Sequence, residues 1–323
     1  MFMNIGIIGS GFMGKTHVEC YKNCGVKNLF ICDTNLKNAQ KLATEYDGKA
    51  FSSFDELLNT VKLDAVSVCV PTPLHEPLAL KALERSVAVL CEKPFAATVE
   101  AANRLVEKAK ETKTPLMVAH CLRFMKPYIC LKQAIKDGRF GAILSLNMYR
   151  HSTMPLWSEG SWLANMEKSG GAVVDLHIHE TDMAVFLFGV PRAVTTVGDY
   201  KQCSTVYHYN GVGVSAQASW RKIANYPFTS GFDANFENAT LRFDGNGLFL
   251  LEGKGEYNDL LQKENYPEFV KSDNAYENEI RYFLSGLKTG EFDYCPTSES
   301  VMSTKTAYAE LQSVKSGKTI EIK

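Results

Sequence analysis

Long apolar runs are missing from this chain: no stretch approaches the ~18 residues needed to cross a bilayer, so a membrane-spanning protein is not expected. Charge of one sign is missing as well. The formal net charge is −1 and no long charge run occurs, which leaves nothing to attract nucleic acid or an anionic membrane surface. Nine cysteines are present, but they are scattered and form no C-x-x-C pair, so zinc or redox chemistry from cysteine is not expected. Cys32, Cys69 and Cys91 sit inside apolar runs, where thiols act as small hydrophobes. A charged leader and cleavage site are also lacking, since a domain strand begins almost at once; a cytoplasmic protein is expected. There is no internal repeat and no low-complexity segment.

What is present begins at the N-terminus. Ile5, Ile7 and Ile8 read as a short buried strand, followed by Gly9-Ser10-Gly11-Phe12-Met13-Gly14 and a helix from about Phe12. In this G-x-G-x-x-G pattern Gly9 permits a tight turn and Gly11 lets a pyrophosphate approach the backbone. Gly14 lets the helix pack on the strand, and the amides at the helix N-terminus face the phosphates. The same letters also spell a P-loop from Gly9 to Thr16, with Lys15 and Thr16 in the phosphate and magnesium positions. Asp33 ends the next apolar strand, 19 residues past Gly14, where a carboxylate can bind the adenosine ribose hydroxyls. A negative charge there favours NAD over NADP, although Asp is also a common helix cap.

Strands and helices then alternate through about residue 121, and turn residues stand at the strand C-termini. This is the pattern of a doubly wound parallel sheet, the α/β class, whose ligands bind beyond those strand ends. Past that point come period-two strands at 142–150, 193–199, 204–209 and 212–220. They imply a second, α+β domain with a large, mostly antiparallel open sheet, closed by helices at 275–287 and 298–316. The expected division is 1–121 and 122–323, with 323 residues and 45% apolar content ample for two cores. In 212–220 the residues Val212, Val214, Ala216, Ala218 and Trp220 share one face. A bare apolar sheet face of this kind predicts a homodimer or homotetramer formed through that sheet.

Several residues could carry chemistry. Lys93 follows the strand 87–91 on the crevice side, and Pro94 admits a cis bond that would re-aim it. The stretch Gly170-Gly171 to Asp182 reads as a buried helix with Asp175, His179 and Asp182 at i, i+4 and i+7. Polar groups on a buried helix need partners or a function. His177 and His179 diverge on a helix and have no third ligand, so no metal site is expected. His120 and Arg123 follow the strand 116–119 and could reach the same crevice. Trp157 and Trp162 could cover a polyol face.

Together these residues identify a resemblance that spans essentially the whole chain. Gly9-x-Gly11-x-x-Gly14 with His17, Thr72-Pro73-x-His75, Glu92-Lys93-Pro94, Arg123-Phe124 and Gly170-Gly171…Asp175…His179…Asp182 resemble the glucose–fructose oxidoreductase/inositol dehydrogenase family of NAD(P)-dependent oxidoreductases. The resemblance makes the P-loop match coincidental and Lys15 an exposed helix residue. It implies cofactor contacts from Gly9 to Gly14 and from Asp33, Thr72, Pro73, His75, Glu92 and Lys93. It further implies that Lys93 polarises the reacting hydroxyl, His179 acts as general base and Asp175 orients the substrate. Such an enzyme oxidises a secondary alcohol of a sugar, sugar acid or cyclitol with NAD. Alternatives are a glycosidase working by transient oxidation and a sensor of the same fold without turnover. Many relatives carry glycine where this chain has His177, which places a second imidazole near the expected site.

Overall fold

The computed structural model describes residues 3–155, 162–253, 256–261 and 265–322. The chain folds into two compact units, one built from 1–124 with 268–301, the other from 125–267 with 302–323.

In the first unit six parallel strands lie in the order β3-β2-β1-β4-β5-β6. They are β1 (Asn4–Ile8), β2 (Asn28–Cys32), β3 (Lys49–Phe51), β4 (Ala65–Val68), β5 (Ala88–Glu92) and β6 (Leu116–Ala119). Helices α1 (Phe12–Asn23), α2 (Leu36–Glu45), α3 (Phe54–Thr60), α4 (His75–Glu84) and α5 (Val99–Thr112) connect them. The strands read as near-continuous apolar runs because helices cover both faces, and Val66, Val68, Val89 and Leu90 are fully buried. Strand order reverses between β1 and β4, so the glycine turn after β1 opens at the switch point where doubly wound sheets bind ligands.

The expected boundary at 121/122 is corrected here. Helix α9 belongs to the first unit, though it begins 156 residues beyond the end of β6 in sequence. (By chain order α6 is Lys126–Asp137, α7 Met166–Ser169, α8 Ile178–Phe188, α9 Ala275–Thr289 and α10 Thr297–Ser316.) Its amphipathic face puts Ile280, Phe283 and Leu284 into the core that holds Ile5, Val18, Tyr21 and Ile31. Asn278, fully buried, saturates its amide: Oδ1 accepts from the Lys271 and Ser272 amides, and Nδ2 donates to the Phe124 and Ser272 carbonyls. A segment remote in sequence thus completes the first core by supplying a helix face that composition could not assign.

The second unit is organised on a nine-stranded sheet of order β14-β13-β12-β11-β7-β10-β9-β8-β15. Its strands are β7 (Ile143–His151), β8 (Ala193–Asp199), β9 (Gln202–His208), β10 (Gly213–Ser219), β11 (Thr229–Phe236), β12 (Ala239–Phe243), β13 (Leu248–Glu252), β14 (Glu256–Asp259) and β15 (Ile320–Glu321). Every neighbouring pair is antiparallel except β7 with β10. The apolar face read from 212–220 is not bare. Val214, Ala216, Ala218 and Trp220 are buried, and Ala218 and Trp220 share a cluster with Ala172, Val173, Val174, Leu176 and Leu311 of the chain's own helical segments. The opposite face is mixed, with Asn147, Val206, Gln217 and Arg242 exposed. The argument for subunit pairing through a bare apolar face therefore fails, because α8 and its flanking segments already cover that face. Among the described residues no helix is long and apolar enough to cross a membrane.

Candidate active site

The glycine turn behaves as its spacing predicts. Gly9 has φ +97°, and a Cβ there would stand 2.3 Å from the Cys69 carbonyl oxygen, so strands β1 and β4 can approach only over glycine. A Cβ on Gly14 would meet the Gly9 carbonyl oxygen at 2.0 Å, so the first turn of α1 can sit on the turn only without a side chain. Gly11 is different. A Cβ there meets nothing within 4 Å and would point into open space. Phe12, 72% exposed, and half-buried Met13 border this opening. The cradle fits a dinucleotide pyrophosphate: backbone amides at a helix N-terminus, with space at the one glycine whose side chain would intrude.

Asp33 stands beside it. Its Oδ2 accepts from the Ser10 amide (2.9 Å) and hydroxyl (2.6 Å), and its Oδ1 accepts from the Asn35 amide. The carboxylate is thus aimed by the turn it must serve. Lys15 donates to Glu45 at 2.7 Å and is about half exposed, while Thr16 bonds back to the Phe12 carbonyl. Both P-loop side chains are spent on their own surroundings.

Lys93, at the end of β5, is partly exposed and is followed by a cis peptide bond to Pro94. Buried groups hold its backbone. Glu92 Oε2 accepts from the Lys93 amide, and Oε1 accepts from His17 Nε2 at 2.9 Å. His17 Nδ1 lies 3.1 Å from the Ser67 hydroxyl, which also meets the Tyr21 hydroxyl. Burial works to raise the Glu92 carboxyl, but the His17 hydrogen bond and the nearby positive charges outweigh it and hold the group below its ordinary value. Within the protein Glu92 thus ties the Lys93 backbone to His17. His75 does likewise: its ring is buried with its nitrogens at the Pro94 and Val70 carbonyls, and burial pushes its pKa down. Thr72 is buried at the start of a short turn, and Pro73 is exposed beside it. His120 and Arg123 are both buried; residues 121–124 wind into a 3₁₀ turn, and Arg123 donates to Glu299 at 2.6 Å.

In the second unit the segment after Gly171 begins with a π turn (Ala172–Leu176), closed by the His177 amide donating to the Ala172 carbonyl at 2.8 Å, and continues as α8. From 169 to 186 every residue is buried except two, Asp175 and His179. Asp182, expected on the same face, is buried and accepts from Ser303. His177 is corrected too. It faces away from the Asp175/His179 edge and is wholly buried, with Nε2 3.1 Å from the Thr205 hydroxyl and 3.3 Å from that of Tyr207. Residues two apart on a helix point to opposite sides, so this imidazole enters the core and not the site. Burial, then the charge of Arg150, push its pKa down to about 3, and it is neutral. Trp162 packs partly buried against the Leu163 and Val173 cluster, and Trp157 lies outside the described residues.

The sequence reading missed the polar layer beneath this segment. Thr181 meets the Glu310 carboxyl at 3.0 Å, and Glu180 pairs with Arg150 at 2.9 Å, all of them buried. Burial raises Glu310 to about 8, against the hydrogen bonds of Tyr207 and Thr181 and with help from the charge of Glu180. The available signal was compositional: α10 buries Ser303, Thr304, Thr306, Glu310 and Ser313, a helix too polar for the core it occupies.

Three comparisons with known proteins now bear on these units. Residues 3–120 match the oxidoreductase family, NAD-binding Rossmann fold, and residues 128–246 match the GFO/IDH/MocA C-terminal domain. The chain belongs to this family of oxidoreductases, and its first unit carries the NAD-binding Rossmann domain. An uncharacterised oxidoreductase of Streptococcus pneumoniae is 33% identical over 60% of this chain, which spans only 52% of that relative. Inositol 2-dehydrogenase of Rhizobium meliloti is 24% identical over the full length of both. A crystal structure of an Agrobacterium radiobacter oxidoreductase with NAD+, L-tartaric acid and magnesium superposes with a TM-score of 0.85 at 21% identity, covering 100% of this chain and 99% of that one.

Two outcomes follow. Gly11→Ala should melt within about 1 °C of wild type without ligand, since its methyl meets no atom, but should lose most of the thermal shift produced by NAD. Glu310 binds its proton more tightly in the folded state than in the unfolded one. Its contribution is therefore full below about pH 4.5 and declines as pH rises toward 8. Glu310→Gln should flatten that decline, gaining stability over wild type on the order of a few kcal/mol at pH 8 and little at pH 5, as read by urea unfolding.

Proposed function

We propose that this protein is an NAD-dependent dehydrogenase that oxidises a secondary alcohol of a sugar, sugar acid or cyclitol. The observation that carries the reading is the exposure pattern of 169–186, where a buried segment opens only at a carboxylate and an imidazole one helical turn apart. Inositol 2-dehydrogenase, similar over its whole length, acts on a substrate of this class by its name.

Bound NAD supplies the hydride acceptor; the protein supplies placement and proton transfer. Asp33 and the amides after Gly9 hold the dinucleotide, with the Asp33 charge selecting NAD against a 2′-phosphate. Lys93 stabilises negative charge developing on the reacting oxygen, because an ammonium there lowers the energy of an alkoxide more than that of an alcohol. His179 takes the hydroxyl proton, since an imidazole titrates near neutrality. Asp175 accepts from a neighbouring hydroxyl and fixes which carbon is presented. Trp162 and the 150–170 stretch contribute to substrate fit.

A spectrophotometric screen at 340 nm with NAD and NADP against hexoses, sugar acids, inositols and glycosides tests this reading. NADH should appear with one polyol. His179→Ala should lower kcat/KM on the order of 10²–10⁴-fold, and Lys93→Ala should abolish turnover while NAD still binds. Glycoside cleavage without net NADH would replace the dehydrogenase by the transient-oxidation reading. Silence across the panel in a protein that binds NAD would refute both.

We also infer that the chain self-associates through the mixed outer face of the nine-stranded sheet, where Val197 and Val206 are 64% and 51% exposed. Sedimentation equilibrium at micromolar concentration should give at least twice the 35.9 kDa chain mass. A monomeric mass would sink the inference.

A further inference from the structure

The π turn before α8 raises a physical question. Such turns are rare, because they forgo the tighter i→i−4 bonds for wider rings, and they persist where surrounding contacts impose them. Here both ends of the turn are tied to one hairpin, β8–β9. At its start, Gly170 and Gly171 have φ of +71° and +62°, and the Ala172 amide donates to the Tyr200 carbonyl at 2.6 Å. A Cβ on Gly171 would lie 2.2 Å from that same carbonyl oxygen, so the close approach requires glycine. At its end stands His177, which makes no side-chain cap to its own helix and reaches across to strand β9 instead. Its ring stacks near the Tyr207 ring, centroids 6.4 Å apart at 22°. Asp175 lies inside the segment so clamped, and His179 follows two residues after the clamp.

We propose that His177 is a positioning residue: its Nε2, bonded to Thr205 and Tyr207, latches the junction of the π turn and α8 to strand β9 and so holds Asp175 and His179 at the open edge. The latch works only through a neutral ring. Nδ1 has no hydrogen-bond partner among the described residues, so an imidazolium would leave a buried N–H unpaired. Its neighbours are consistent with that. Glu310 on α10, 3.9 Å away, is held protonated by burial, and the Arg150 charge on β7 is met by Glu180. Thr181 Oγ1, 3.0 Å from the His177 carbonyl, extends the same tie one turn into α8.

The proposal rests on the reading of Asp175 and His179 as substrate-facing groups, and its test separates the two. Hydrogen–deuterium exchange on the full-length protein would compare wild type with His177→Leu, His177→Gln and Thr205→Val. Leucine fills the space without a donor, whereas the glutamine amide can place a nitrogen near the position of Nε2. Exchange across 172–180 should quicken tenfold or more in the leucine variant and several-fold in Thr205→Val, with the rest of the second unit within twofold of wild type. Glutamine should restore most of the protection. With a polyol found in the screen, kcat/KM should fall about tenfold or more in the leucine variant while NAD affinity is unchanged. Unaltered exchange, acceleration spread evenly over 125–267, or glutamine as damaging as leucine would each overturn the latch. If no polyol is turned over by wild type, the exchange pattern still decides the latch, and only the dehydrogenase reading falls.

Discussion

A polar atom left unpaired in a dry interior costs several kcal/mol, and in this protein that cost falls directly beneath the groups proposed to react. Under Lys93 lies the chain Tyr21–Ser67–His17–Glu92, which ends on the Lys93 amide. Under Asp175 and His179 lies the layer of His177, Thr181, Thr205, Tyr207 and Glu310. Each network can satisfy its members in few arrangements, so each limits the positions open to the side chains above it. The interior polar groups thus act as the fixed part of the site, and the exposed ones as the working part.

The two networks differ in charge. Glu92 stays ionised because His17 and neighbouring positive charge compensate its burial. Glu310 has no such compensation and keeps its proton to about pH 8, while the buried His177 stays neutral far below neutrality. The layer beneath α8 is therefore a net of neutral donors and acceptors, apart from the Arg150–Glu180 pair. Such a net changes little with pH across the range in which an exposed imidazole titrates.

Much of this was legible before any coordinates. The βα rhythm, the conformational demands on Gly9, Gly11 and Gly14, and the shared face of Asp175 and His179 follow from spacing and from the steric needs of glycine, although Asp182, read on that same face, is buried. Other features were hidden by distance along the chain. Arg123 reads like a substrate-binding cation; the structure buries it and gives it Glu299, 176 residues away, as a partner. The apolar strand 212–220 reads as a bare face because the helical residues that cover it, 172–176 and Leu311, are distant in sequence and resemble core of any kind. His177 stands between Asp175 and His179 in sequence, but its ring turns to Thr205 and Tyr207 on the core side.

By itself the sequence determined what depends on neighbours close along the chain: alternating elements, the glycine turn, the carboxylate after β2, and the one-turn spacing of Asp175 and His179. These are set by backbone sterics and short-range periodicity, which any reader of the residues can apply. Tertiary structure alone decided which polar groups are spent inside and which are left outside. Burial is a property of what comes to lie on a residue, and the covering groups here, α9 over the first sheet and α10 beneath α8, arrive from the last fifth of the chain.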